Sequence, residues 1–116
     1  MKDTPIFAIL LVAGASILGA AGQFLFKAGS AKPDLSVTTF LTSPLILSGM
    51  ISYLTVMVMF TAAFRMGGSV RVLYPIYAST FIWAALGAFI LYGEPIRAIH
   101  VVGMVLLLGG ILCMSW

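Results

Sequence analysis

Gln23 and Lys27 stand four residues apart in a stretch otherwise built of apolar and small residues, ASILGAAGQFLFK over 15–27. On a helix that spacing puts the amide and the ammonium one above the other on a single face. Such a pair could hydrogen-bond a polar group and neutralise an anion. Ala15, Ser16, Gly19, Ala20 and Gly22 leave room around them for a neighbouring helix or a ligand to approach closely. Blander readings stand beside this one. Lys27 could snorkel from a helix end to the water interface, and Gln23 could serve only as a bond between helices. A second set lies at 71–83, with Arg71, Tyr74, Pro75, Tyr77, Ser79, Thr80 and Trp83. Arg71 carries a fork of donors suited to phosphate, or it snorkels. Tyr74 and Tyr77, three apart, share a face, and Tyr77 and Trp83 fall deep enough that their polar handles want partners. The candidate substrate-binding residues are therefore Gln23, Lys27, Arg71, Tyr74 and Tyr77.

No catalytic set accompanies them, and the chain is expected not to be an enzyme. The one histidine, His100, has only Glu94 nearby and no ligands at metal spacing. No phosphate-cradling glycine loop or nucleophile elbow occurs, and no metal or cofactor is expected. Cys113 is the single cysteine, so no intrachain disulfide can form; it reads as a small apolar filler. The net charge of +3 is spread thinly and makes no nucleic-acid footprint.

The elements that position these residues follow from composition. Sixty-two per cent of the 116 residues are hydrophobic and 8% charged, and mean hydropathy is +1.18. A soluble domain of this size lacks the polar surface to cover so much apolar material. Charges fall at Asp3, Lys27, Asp34, Arg65, Arg71, Glu94 and Arg97, and the long gaps between them are free of charge. A helix needs ~20 apolar residues to cross ~30 Å of hydrocarbon, and helices satisfy their own backbone in lipid where lone strands do not. The expectation is an all-α membrane protein, one domain over 1–116, with spans near 4–27, 43–65, 70–92 and 97–115. The first span imitates a signal peptide but is too long, and it reads as a retained helix. Connections at 28–42, 66–69 and 93–95 are short and rich in glycine, serine and proline. They imply an up-down-up-down path with both ends on one side. Pro75 either opens the third span or kinks it, depending on where that span begins. Tyr92 and Trp116 suit an interfacial belt.

Two features concern assembly. Gly103 and Gly110 are two turns apart, with Gly109 alongside, and form a stripe that reads as a dimer seam. Lys2, Arg65 and Arg71 lie on one side of the expected path and Lys27, Lys32 and Arg97 on the other. That balance gives the positive-inside rule nothing to act on, so the chain inserts both ways or takes its direction from a partner.

Three segments together, ASILGAAGQFLFK (15–27), LYPIYASTFIW (73–83) and GEPIRAIHVVGMVLLLGG (93–110), resemble the drug/metabolite transporter superfamily. Within it the chain is similar to the short four-helix EamA-like and small multidrug resistance-like proteins. In pattern it looks closest to the paired subunits that flip aminoarabinose-phosphoundecaprenol. The resemblance implies a multi-pass protein of the bacterial inner membrane, acting as a homodimer or heterodimer of four-helix chains and moving a polyprenyl-phosphate-linked sugar. One departure stands out. Small multidrug exporters rely on a membrane glutamate eight residues before a lysine that matches Lys27, and that position here is Gly19; their helix-three aromatic positions match Tyr74 and Tyr77. The leading expectation is thus a transporter subunit for a lipid-linked or other polar, anionic substrate. The alternatives are a small multidrug-type exporter and a non-transporting membrane subunit that anchors a glycosyltransferase.

Overall fold

A computed structural model describes residues 4–31 and 36–116, so Lys2, Asp3, Lys32 and Asp34 lie outside the described residues. Every regular element among the described residues is an α-helix. They are α1 (Ile6–Ser30), α2 (Val37–Thr42), α3 (Pro44–Arg65), α4 (Val70–Tyr77), α5 (Thr80–Tyr92) and α6 (Ala98–Ser115). α1, α3, the α4–α5 stretch Val70–Tyr92 and α6 are each long and apolar enough to cross a membrane. At 1.5 Å per residue they extend ~27–38 Å. The protein is a multi-pass membrane protein by this measure.

The helix ends differ from the sequence reading in instructive ways. α1 starts and ends later than 4–27. Its last turn continues past Lys27 because Ser30 Oγ donates to the Lys27 carbonyl at 2.8 Å and the bare face of Gly29 closes on Ile46. The connection read as 28–42 holds the short helix α2, whose first turn is capped by the Thr39 N–H donating to Ser36 Oγ at 3.2 Å. α3 begins with Pro44 in its first turn, where a missing N–H is no loss.

The span read as one helix over 70–92 is two. α4 begins at Val70, so Pro75 lies beyond the first turn and withholds the N–H that the Arg71 carbonyl would accept. Three residues on, the backbone tightens. The Ala78 N–H is shared between the Tyr74 and Pro75 carbonyls at 3.2 and 2.9 Å, and the Ser79 and Phe81 N–H groups each donate three residues back at 3.1 Å. This is 3₁₀ geometry, and it separates α4 from α5.

Packing relies on small residues, as it must between helices in lipid, where apolar contact alone gives no drive. Gly22, Phe26 and Gly29 of α1 meet Tyr53, Gly49 and Ile46 of α3, so these two helices run in opposite directions. A Cβ on Gly22 would lie 3.0 Å from the Tyr53 ring, and one on Gly49 2.7 Å from the Phe26 ring. On the other flank of α1, Phe24 seats on Gly87 of α5. Ala8 and Val12 join Ala63, Val72, Leu73 and Ile76 in a small core, with Ile111 of α6 against it. The Ser69 N–H donates to Thr4 Oγ1 at 3.4 Å, tying the start of the described chain to the α3–α4 turn.

α6 rests chiefly on α4, and only Ser115 of its residues is buried. An apolar groove separates it from α5, lined by Phe81, Ile82 and Ala85 on one side and by His100, Gly103 and Leu107 on the other. The molecule is a slab of 49 × 37 × 17 Å. The groove between α5 and α6 is open to the outside.

Candidate substrate groove

Several polar side chains of the spans lie on one stripe of α1. Ser16, Gly19, Gln23 and Lys27 follow one another at three- and four-residue intervals, which keeps them on one helix face. Each meets a partner from another element. Ser79 Oγ, at the α4–α5 break, donates to the fully buried Ser16 Oγ at 3.0 Å. The Tyr77 ring lies against Gly19, with its hydroxyl where a Gly19 side chain would begin. Gln23 Nε2 donates to Tyr53 Oη at 2.6 Å. Lys27 Nζ lies 3.3 Å from Glu94 Oε2.

Aromatic rings frame this stripe. Tyr53 stacks on Phe26 with ring centroids 5.6 Å apart. Phe60 of α3 touches both Tyr77, at 5.0 Å, and Tyr74, at 6.1 Å, and so joins α3 to α4 at that end. Gln23, Phe26, Met50, Tyr53 and Met57 line an open groove between α1 and α3. Of the α1 stripe, Gln23 lines this groove, with Tyr53 across from it on α3; Ser16 is buried against the α4–α5 break, and Lys27 lies one turn beyond Gln23 at the end of the span.

Lys27 is positioned by two groups. Besides Glu94, its ammonium sits 4.2 Å from the centre of the Tyr92 ring, a cation–π contact. Tyr92 in turn packs on Phe24. Glu94 is delivered by the end of α5. Gly93 takes the left-handed conformation, φ 65°, which a residue without Cβ adopts freely, and the chain turns there. Both side chains of the ion pair are about half exposed, 54% and 56%, and an exposed pair of this kind contributes only ~0–1 kcal/mol.

Arg71 is not part of this groove. Its Nη1 donates to the carbonyls of Met114 at 2.9 Å and Trp116 at 3.3 Å. It caps the C-terminal end of α6, where the last carbonyls of a helix have no internal donor. Glu94 follows the far end of the Val70–Tyr92 stretch, so Lys27 and Arg71 are ~30 Å apart along the helices. The structure thus brings Gln23, Lys27 and Tyr77 to one stripe, with Tyr74 beside Tyr77 through Phe60, and leaves Arg71 at the other end. Gly103 and Gly110 face outward, and a Cβ on either would meet nothing within 4 Å. His100 Nδ1 accepts the Arg97 N–H at 3.0 Å, which assigns the neutral ring proton to Nε2. Among the described residues, no three His, Cys, Asp or Glu side chains come together to hold a metal ion.

Tyr53 was not among the sequence candidates, and a signal for it was present. Ser48, Ser52, Thr55 and Thr61 on the same helix each donate to the carbonyl four residues back. Short hydroxyl side chains can satisfy themselves this way. A tyrosine hydroxyl stands too far from its own backbone to do so. Within α3, before its terminal Arg65, Tyr53 is then the polar side chain that must look elsewhere. The Ser16–Ser79 bond has no comparable sequence signal, because it depends on where the third span breaks.

No protein-family model, curated protein or solved structure matches this chain.

Proposed function

We propose that this chain is one subunit of a paired membrane transporter that moves a polar, anionic substrate across the bacterial inner membrane. The substrate class it suits best is a polyprenyl-phosphate-linked sugar. The observation that carries this reading is the α1 stripe. Neutral hydrogen-bonding groups at Ser16–Ser79, Tyr77 and Gln23–Tyr53 lead to a single ammonium at Lys27. Hydroxyl, amide and aromatic side chains suit a sugar, Lys27 suits its phosphate, and an isoprenoid tail can stay in lipid. Polar groups kept inside membrane spans are costly unless they serve a path or a site.

The proposed pairing is supported by the thin shape of the single chain, whose groove is open to one side. The path is up-down-up-down. Thr4–Ser69 and Arg71–Met114 contacts fall at one end and Lys27–Glu94 at the other, in support of that order. The outward glycines Gly103 and Gly110 on the exposed α6 are the proposed seam of the pair. In a single chain one phosphate cannot meet both Lys27 and Arg71. An oppositely inserted partner would bring its Arg71 to the membrane face that holds Lys27, so Arg71 joins the site only through such a partner.

The test is reconstitution of the purified protein in liposomes with a labelled polyprenyl-phosphate sugar. Transfer that depends on Lys27 is expected, and transfer unchanged in both Lys27→Ala and Arg71→Ala would remove this reading. Export of cationic compounds is the second reading. The one feature favouring it is Glu94, the single carboxylate among the described residues, though Lys27 already neutralises it. Growth resistance to quaternary ammonium compounds on expression separates the two.

A further inference from the structure

Lys27 has a counter-ion of its own, and its surroundings describe how that ion is held. The Glu94 carboxylate meets it through one oxygen at 3.3 Å, with both side chains about half exposed. Among the described residues, Glu94 has no other side-chain bond. It belongs to no helix, standing between the left-handed Gly93 and Pro95. The Lys27 ammonium, by contrast, is also fixed over the Tyr92 ring at 4.2 Å. The cation therefore keeps its place when the carboxylate leaves, while the carboxylate has little to keep it there.

We propose, on the strength of the transport reading above, that Glu94 is a surrogate for the substrate's phosphate and a specificity-determining residue. It neutralises Lys27 when no substrate is bound and is exchanged for a phosphate ester when one arrives. Exchange keeps an anion beside the Lys27 ammonium, itself about half exposed at the end of its span, before and after substrate binds. Neutral and cationic head groups cannot make that exchange, because they would leave Lys27 and Glu94 paired or Lys27 bare.

The experiment measures equilibrium binding of a radiolabelled polyprenyl monophosphate to the wild type, Glu94→Gln, Lys27→Gln and the double variant in lipid nanodiscs. Glu94→Gln is expected to bind about two- to fivefold more tightly, the scale of losing one exposed ionic competitor. Lys27→Gln is expected to bind about tenfold more weakly or worse, and the double variant to match Lys27→Gln. Binding by Glu94→Gln equal to or weaker than wild type, with Lys27→Gln still impaired, would overturn the surrogate role and leave the transport reading intact. A gain from Glu94→Gln that persists without Lys27 would also overturn it, because the effect would not pass through the lysine. Absence of binding in every form would overturn the transport reading and this inference with it. A soluble sugar 1-phosphate serves as competitor. Effective competition assigns the exchange to free phosphate esters and weak competition to the lipid-borne one; both agree with the surrogate role.

Discussion

At Gly19 the missing side chain is what lets Tyr77 lie on α1, since its hydroxyl fills the space a Cβ would take. Gly19→Ala is therefore expected to force the ring away and lower stability by ~1–3 kcal/mol, the usual scale of overpacking. Adding Tyr77→Phe removes the atom in closest conflict and should recover part of the loss, which thermal unfolding in detergent would read as a non-additive pair. Gln23→Leu breaks the bond to Tyr53 and should cost stability only ~0.6 kcal/mol, the average for such bonds in membranes, while weakening binding of a polyprenyl-phosphate sugar. Equal losses in both measurements would make Gln23 a structural strut. Much of this stripe was legible beforehand. Gln23 and Lys27 announce themselves because polarity is rare in an apolar helix, and spacing alone puts them on one face. Arg71 looked like a phosphate ligand for the same reason. Its actual partners, the carbonyls of Met114 and Trp116, lie more than forty residues away in sequence, and no local spacing encodes that.

At the level of elements, charge-free gaps mark four spans well because the cost of charge in lipid dominates every other term. Helix ends were less legible. Gly29 and Ser30 extend α1 through contacts with Ile46 and with a backbone carbonyl, and the α4–α5 break sits three residues beyond Pro75, set by backbone geometry that residue type does not fix. The glycines separate into two classes with opposite expectations. Gly49→Ala would press a methyl group to 2.7 Å from Phe26 and 3.1 Å from the Gly22 carbonyl. Backbone cannot step aside as a side-chain tip can, so a loss of ~1–3 kcal/mol in unfolding free energy is expected. Gly103→Ala has open space around it and should leave the isolated chain's melting unchanged within ~0.5 kcal/mol. Similar melting shifts for the two would mean that the α1–α3 contact is looser than described.

The whole molecule is thin, 17 Å in its least extent, and apolar on most faces, with a few polar side chains along α1. The proposed function rests on a partner chain that closes the path from lipid. If α6 forms the seam, Gly103→Leu with Gly110→Leu should reduce self-association or partner association, read by cross-linking in membranes, without changing the fold of the single chain. Unaltered cross-linking would move the seam elsewhere. The central claim is that the α1 stripe lines the substrate's route. A photoreactive polyprenyl-phosphate sugar, activated in membranes containing the assembled protein and mapped by mass spectrometry, tests it most directly. The account predicts label on the peptides carrying Gln23 and Tyr53, reduced by unlabelled substrate. Label spread evenly over the lipid-facing surface, or confined to the outer face of α6 and insensitive to competition, would contradict it.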